Sequence, residues 1–311
     1  MRGPSGPTLP AMDAKAQLFL VVSVSAIMLT MGLGLTPDDF RRIASRPRAV
    51  AVGLVGQILL LPALAFACAF AFGLSTPLAL GLVLIAACPG GAHSNLYASF
   101  ARADTALSVT LTALSGLITI VTIPLVLTLA LAVFDADGAL PPMPIGSTMA
   151  QIFLVMGLPV GLGMLLRARS ERWAKRLERP VKGLATLLLV VIILGSLRGN
   201  GERLGAAMVS SGPAVLTLNV ASTLLGWGLA RAAGLPLAQQ LTVALEVGIQ
   251  NGTLAFALGL ALMHGELTLL PPVFLYSLVV YFTGAVLIVV GRRALPAQGS
   301  AGEATAGEAP S

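Results

Sequence analysis

Charge is what this chain has least of. It carries 19 basic and 13 acidic side chains in 311 residues, 10% of the total, where a soluble globular domain carries roughly 25%. That scarcity excludes an ordinary water-soluble domain. Cysteine and histidine are just as sparse, two of each; the cysteines have no metal-ligand spacing, and nothing implies a disulfide framework. Cys68 and Cys88 both lie in apolar runs and read as small apolar fillers. No Lys or Arg stands in the interior of an apolar run. An anionic ligand would therefore be held by helix dipoles, amides and hydroxyls rather than by a fixed cation.

The remaining sequence is 56% hydrophobic, in runs of about 20 residues, the length that crosses the hydrocarbon core as a helix. The runs are continuous rather than alternating, which excludes a strand barrel. The chain reads as an all-α polytopic membrane protein with nine spans, near 14–35, 48–73, 77–100, 104–134, 147–166, 181–198, 207–230, 236–263 and 268–290. A net charge of +6 does not point to nucleic acid, because the basic residues gather in a few short loops. Fifteen of the nineteen fall on one face if the loop with Arg41, Arg42, Arg46 and Arg48 is cytoplasmic. The positive-inside rule then places the N-terminus outside and the C-terminus in the cytoplasm. Residues 1–13 form an extracytoplasmic segment whose first 12 residues lack a signal-peptide layout, and residues 294–311 read as a disordered cytoplasmic tail.

Two spans are interrupted. Span 77–100 contains Cys88-Pro89-Gly90-Gly91-Ala92-His93-Ser94-Asn95, and span 236–263 contains Gly248 and Asn251-Gly252. Proline removes a backbone donor and glycine weakens a helix, so both should unwind. They occupy corresponding places in a first repeat of four spans (14–134) and a second of five (147–290), if the first has lost a leading helix. A five-span repeat crosses an odd number of times, so its copy is inverted, and paired broken helices in inverted repeats mark secondary transporters.

Glu246 is the only acidic residue deep inside an apolar run. A charge at mid-bilayer costs about 2.5–3.5 kcal/mol even on lenient scales, so it needs a partner. A carboxylate at a helix break suggests a cation. Ser108 and Thr112, four apart on one helix face, could join Ser94, Asn95 and Glu246 around a hard cation. Bonding back to the i−4 carbonyl is the plainer role of those two hydroxyls. Gln57 could reach a second cation or bridge two helices. Gln250 could serve as a ligand, on the face of Glu246 if the helix persists. Asn251 could present its amide to a substrate. His93 could be a substrate contact, a proton carrier or a neutral hydrogen-bonded residue; His264, at a span end, suggests no role. Glu246 has no second intramembrane carboxylate, and His93 and Ser94 point apart on a helix, which argues against an intramembrane enzyme.

Several of these pieces resemble the bile acid:sodium symporter family: Gly32-Leu33-Gly34-Leu35-Thr36-Pro37-Asp38-Asp39-Phe40, Gln57 with Pro62, Cys88-Pro89-Gly90-Gly91 through Ser94-Asn95, Ala106-Leu107-Ser108, and Glu246 through Asn251. The resemblance runs from about residue 20 to 290. It implies a bacterial member in the inner (plasma) membrane, with core and panel domains, crossing broken helices, and two sodium ions coupled to import of an organic anion. One sodium site would use Ser94, Asn95, Ser108, Thr112 and Glu246. The other would use Gln57, Glu246, and oxygens of Val247, Ile249 and Gln250. Ala92, His93, Asn251 and Tyr281 would face the substrate. His93 stands where a small residue is usual, and Val280-Tyr281 where some bacterial members have a His-Asn pair, so the resemblance leaves the anion open between bile acids and small carboxylates. The expected partners are that anion, sodium and the bilayer, with no nucleic acid and no obligate protein partner. Coupling to protons through Glu246 or His93 is the alternative.

Overall fold

A computed structural model describes residues 14–34, 46–135, 153–197, 201–262 and 268–296, with 146, 150 and 151. The N-terminal segment 1–13, Leu35 to Phe40, Arg41, Arg42, His264 and tail residues 297–311 lie outside the described residues. The described residues form eleven helices and no strand: α1 (Ala14–Gly34), α2 (Pro47–Ala71), α3 (Thr76–Ala87), α4 (Ala92–Phe100), α5 (Thr105–Phe134), α6 (Leu158–Arg169), α7 (Glu171–Leu197), α8 (Gly201–Ala232), α9 (Leu237–Gly248), α10 (Gly252–Leu262) and α11 (Leu270–Ala294). Four helical stretches are long and apolar enough to cross a membrane: α2, α5, α8 from Leu204, and α11.

Burial separates two kinds of helix. α3 is buried at every position from Leu78 to Ala87, and α9 from Leu241 to Gly248. A helix that is apolar on all faces, as α3 is, belongs inside a bundle, whereas α9 is buried with Thr242 and Glu246 on it. The long helices instead turn large apolar side chains outward, including Leu59, Leu125, Leu129, Val220, Leu224, Phe282 and Val286. Lipid can cover such side chains, so no second apolar layer is needed.

Both expected interruptions are present. Pro89 disfavours helical backbone at the residue before it, and Cys88 is extended (φ −71°, ψ 155°). The unwound stretch is short: α4 starts at Ala92, so His93, Ser94 and Asn95 sit in its first turn. On the other side, α9 stops at Gly248 and Ile249 is extended (φ −122°, ψ 96°). The helix does not persist through Gln250. The two unwound strands cross antiparallel at Gly90 and Gln250. Gly91 N donates to Ile249 O at 3.3 Å, and Asn251 N donates to Pro89 O at 2.9 Å. Backbone groups released by the two breaks thus satisfy one another.

The basic stretch expected as a loop before span 181–198 is helical instead. Arg167 and Arg169 end α6, and α7 begins at Glu171, runs through Pro180 and carries Arg172, Lys175, Arg176 and Arg179 in its opening turns. Arg and Lys are good helix formers. Glu171 pairs with Arg167 at 3.4 Å and with Lys175 at 2.7 Å, both at i,i+4 spacing.

Candidate cation site at the helix crossing

Glu246 lies in the last turn of α9 and is fully buried. Three hydroxyls surround its carboxylate. Ser94 Oγ lies 2.6 Å and Ser108 Oγ 2.5 Å from Oε1, and Thr112 Oγ1 lies 3.0 Å from Oε2. Ser94 comes from α4, Ser108 and Thr112 from α5, so two helices converge on one side chain of a third, α9. The plain role of the α5 hydroxyls does not apply to this pair. Thr110, two positions from each, does bond back to Ala106 O at 2.9 Å.

The site holds more oxygen than its protons can satisfy. Asn95 Oδ1 sits 2.7 Å from Ser108 Oγ and 3.3 Å from Thr112 Oγ1, and Ser94 Oγ is 2.7 Å from Gly91 O. Each hydroxyl has one proton to donate, yet each has two acceptors within reach. Positive charge among these oxygens would remove the deficit. The ligand set consists of oxygen with one carboxylate, and no group of three or more His, Cys, Asp or Glu stands together among the described residues. Such chemistry suits a hard cation and not a transition metal.

A second polar cluster adjoins the first. Gln57 lies in a π-helical segment of α2, Val55–Leu60, a local irregularity frequent at functional sites. Its Nε2 donates to Gln250 Oε1 at 3.2 Å, while its own Oε1 is buried without a partner. Gln250 Nε2 donates to the backbone oxygens of Glu246 (3.0 Å) and Val247 (2.9 Å). Ile249 O is taken by Gly91 N. Of these oxygens Gln57 Oε1 alone has no donor, since the carbonyls of Glu246, Val247 and Ile249 each accept one hydrogen bond. Gly90 lies between the clusters: a Cβ there would overlap Glu246 Oε2 and lie 3.4 Å from Gln57 Nε2, so a larger residue would displace the carboxylate.

The residues expected to face substrate are placed less uniformly. His93 is exposed in the first turn of α4, and its ring meets Tyr281 of α11 edge-on, with centroids 5.6 Å apart. Tyr281 is 51% exposed. Asn251 caps α10 by accepting from Leu254 N at 3.0 Å, so the group it can offer a ligand is its amide nitrogen. Ala92 opens α4.

Sequence reasoning missed a third set. Asn219 of α8 and Tyr276 of α11 both donate to Gly248 O at 2.9 Å, and Thr283 donates to Asn219 Oδ1. A lone amide in the apolar α8 was a signal of the same kind as Gln57.

A profile of the sodium bile acid symporter family matches residues 21–207. The chain is 29% identical over 256 residues to the uncharacterized sodium-dependent transporter YocS of Bacillus subtilis, covering 82% of this chain and 78% of that one. It is 35% identical over 240 residues to a probable chloroplastic sodium/metabolite cotransporter, BASS2, of Oryza sativa, covering 76% of this chain and 55% of the rice protein. A human relative, P3 protein, is 30% identical over 226 residues, 71% of this chain and 46% of the human one. With this match over more than half its length, beside a buried carboxylate at a helix crossing, the chain belongs to the sodium bile acid symporter family.

Proposed function

We propose that this protein is a sodium-coupled symporter that imports an organic anion by alternating access. As a member of a symporter family it is a transporter and not an enzyme. The observation that carries the reading is the oxygen cluster at Glu246, where three hydroxyl protons face more acceptors than they can serve. Sodium is the coupling ion. The first site is Ser94, Asn95, Ser108, Thr112 and Glu246. The second is Gln57 and Glu246 with oxygens of Val247, Ile249 and Gln250, where Gln250 must turn its amide away from the carbonyls it now holds. The anion lies beside the crossing against Ala92, His93, Asn251 and Tyr281, near the N-termini of α4 and α10, whose dipoles favour negative charge.

Sodium neutralises Glu246 and fixes the two unwound strands, which raises affinity for the anion. By linkage the anion raises affinity for sodium equally. Net positive charge moving inward gains about 2.3 kcal/mol per 100 mV of membrane potential. The frame for this motion is nine crossings in two inverted repeats, 14–134 and 147–290, forming core and panel domains. The chain sits in the inner (plasma) membrane with its N-terminus outside.

Glu246→Gln in proteoliposomes is the direct test. The variant should lose sodium-dependent uptake while remaining folded, and full sodium-dependent uptake by it would overturn the assignment. The oxygen excess would also be relieved by one proton on Glu246, which supports proton coupling as the second reading. Uptake that an uncoupler abolishes at constant sodium, and that is indifferent to replacing sodium by potassium, would favour that reading.

A further inference from the structure

α8, α9 and α11 meet around a single peptide group. Gly248 ends α9, so its carbonyl has lost the donor that a continuing helix would supply. Two buried side chains replace it, Asn219 Nδ2 from α8 and Tyr276 OH from α11, each at 2.9 Å. Thr283, two turns beyond Tyr276 on α11, donates to Asn219 Oδ1. Thr223 Oγ1 donates to Asn219 O at 2.8 Å and packs flat on Gly248, where a Cβ would overlap it. None of the four touches the Glu246 carboxylate.

The packing of these helices does not by itself call for polar groups. Gly226 already lets α8 approach α9 closely, since a Cβ there would lie 2.8 Å from Val243 O. A buried amide and phenol at this point are a cost unless their bonds have use. Gly248 lies between Val247 and Ile249 and two residues after Glu246. As a glycine it would be the freest hinge in the break. Holding its carbonyl from two directions fixes the angle at which the chain leaves α9.

We propose that Asn219 and Tyr276, with Asn219 anchored by Thr283, are positioning residues for the cation site: by clasping the Gly248 carbonyl they hold Glu246 and the Val247 and Ile249 carbonyls in coordinating geometry. This rests on the sodium-coupled reading and adds to it the residues that set sodium affinity from outside the coordination sphere. It also ties the site to α8 and α11, so movement of either helix changes ion affinity.

The test uses the purified full chain, with sodium titrated against potassium at constant ionic strength and thermal stabilisation read at each step. Tyr276→Phe removes one hydroxyl and keeps the shape. It should raise the sodium concentration for half-maximal stabilisation about five-fold, the size expected for one buried neutral hydrogen bond. Asn219→Ala should raise it more. Thr283→Val, which leaves both bonds to Gly248 in place, should raise it less, and it carries the test if Asn219→Ala does not fold. Ser211→Ala is the control: Ser211 is buried in α8 and donates to Ala207 O within its own helix. It should leave sodium dependence as in the wild type. Unshifted sodium dependence in the clasp variants, or an equal shift in Ser211→Ala, overturns the clasp alone. A wild type that ignores sodium overturns the coupling-ion reading first and the clasp with it.

Discussion

At the residue scale the protein turns on one expensive side chain. Burying a carboxylate is tolerable only with donors around it, and the three hydroxyls of Ser94, Ser108 and Thr112 supply them. Those hydroxyls are neutral and they share other acceptors, so the arrangement remains short of positive charge. Gly90 adds a constraint of shape. An alanine there would press its methyl against the Glu246 carboxylate, so the carboxylate would have to leave its three hydroxyls or the strand would have to shift. Overpacking of this kind costs about 1–3 kcal/mol. Gly90→Ala should therefore weaken sodium binding roughly ten-fold or more while the bundle still folds. A sodium titration followed by thermal unfolding checks it, and an unchanged midpoint would show that the carboxylate does not depend on this contact. Glu246, Ser94, Asn95 and Gln57 were legible in the sequence, because each is a polar group in an apolar run and its cost demands an explanation. Asn219 and Tyr276 were not. Tyrosine in a membrane helix has many ordinary roles, and the acceptor they share is a backbone oxygen, which leaves no mark on the sequence.

Helix ends are the next level, because each break and each turn leaves carbonyls to be satisfied. Where α4 turns into α5, Arg102 takes a left-handed conformation (φ 57°). Its guanidinium donates to the carbonyls of Arg292 (3.4 Å) and Leu295 (2.9 Å) at the end of α11. In return Arg292 Nε donates to Phe100 O at the end of α4, at 3.0 Å. Each arginine thus caps the C-terminus of the other's helix, where positive charge is also favoured by the dipole. Next to them, Asp104 caps α5, accepts from Gln239 of α9 at 3.3 Å and pairs with Arg46. The end of α4 and the start of α9 are anchored to neighbours in this way, as the crossing itself is by its own hydrogen bonds.

Arg102→Ala loses the cap and keeps a strained backbone. Arg102→Gly loses the same cap but relieves the strain, which is about 1 kcal/mol for a left-handed residue. Thermal unfolding should then rank wild type above Arg102→Gly, and Arg102→Gly above Arg102→Ala. The opposite order of the two variants would mean that the backbone at 102 relaxes freely. The breaks that these anchors serve were readable from Pro89 and the glycines, since proline acts locally. The extension of α7 back to Glu171 was not. A run of charges reads equally as loop or as solvated helix, and the i,i+4 pairs of Glu171 decide it only when both helices are in place.

At the scale of the whole molecule, the apolar runs announced a membrane protein, and four long apolar helices lie in the described residues. The count of crossings and the repeat are set by how short segments pair in space, which hydropathy does not encode. Sidedness is a separate matter, for which the basic residues give an expectation. The arginines and lysines of α6 and α7, with Arg46, Arg102 and the end of α11, fall on the face assigned to the cytoplasm, and the turn between α2 and α3 falls on the other. Two positions report on this directly. Arg172 is exposed in the first turn of α7, and Ser75 is exposed just before α3. Both native cysteines are buried, so they give a low background with a thiol reagent. In right-side-out membranes, Ser75→Cys should react with a membrane-impermeant maleimide and Arg172→Cys should react only after the membrane is opened. The reverse pattern would invert the topology. It would then leave the orientation read from the basic residues without support, while the direction of uptake, set by the sodium gradient and the membrane potential, would stay inward.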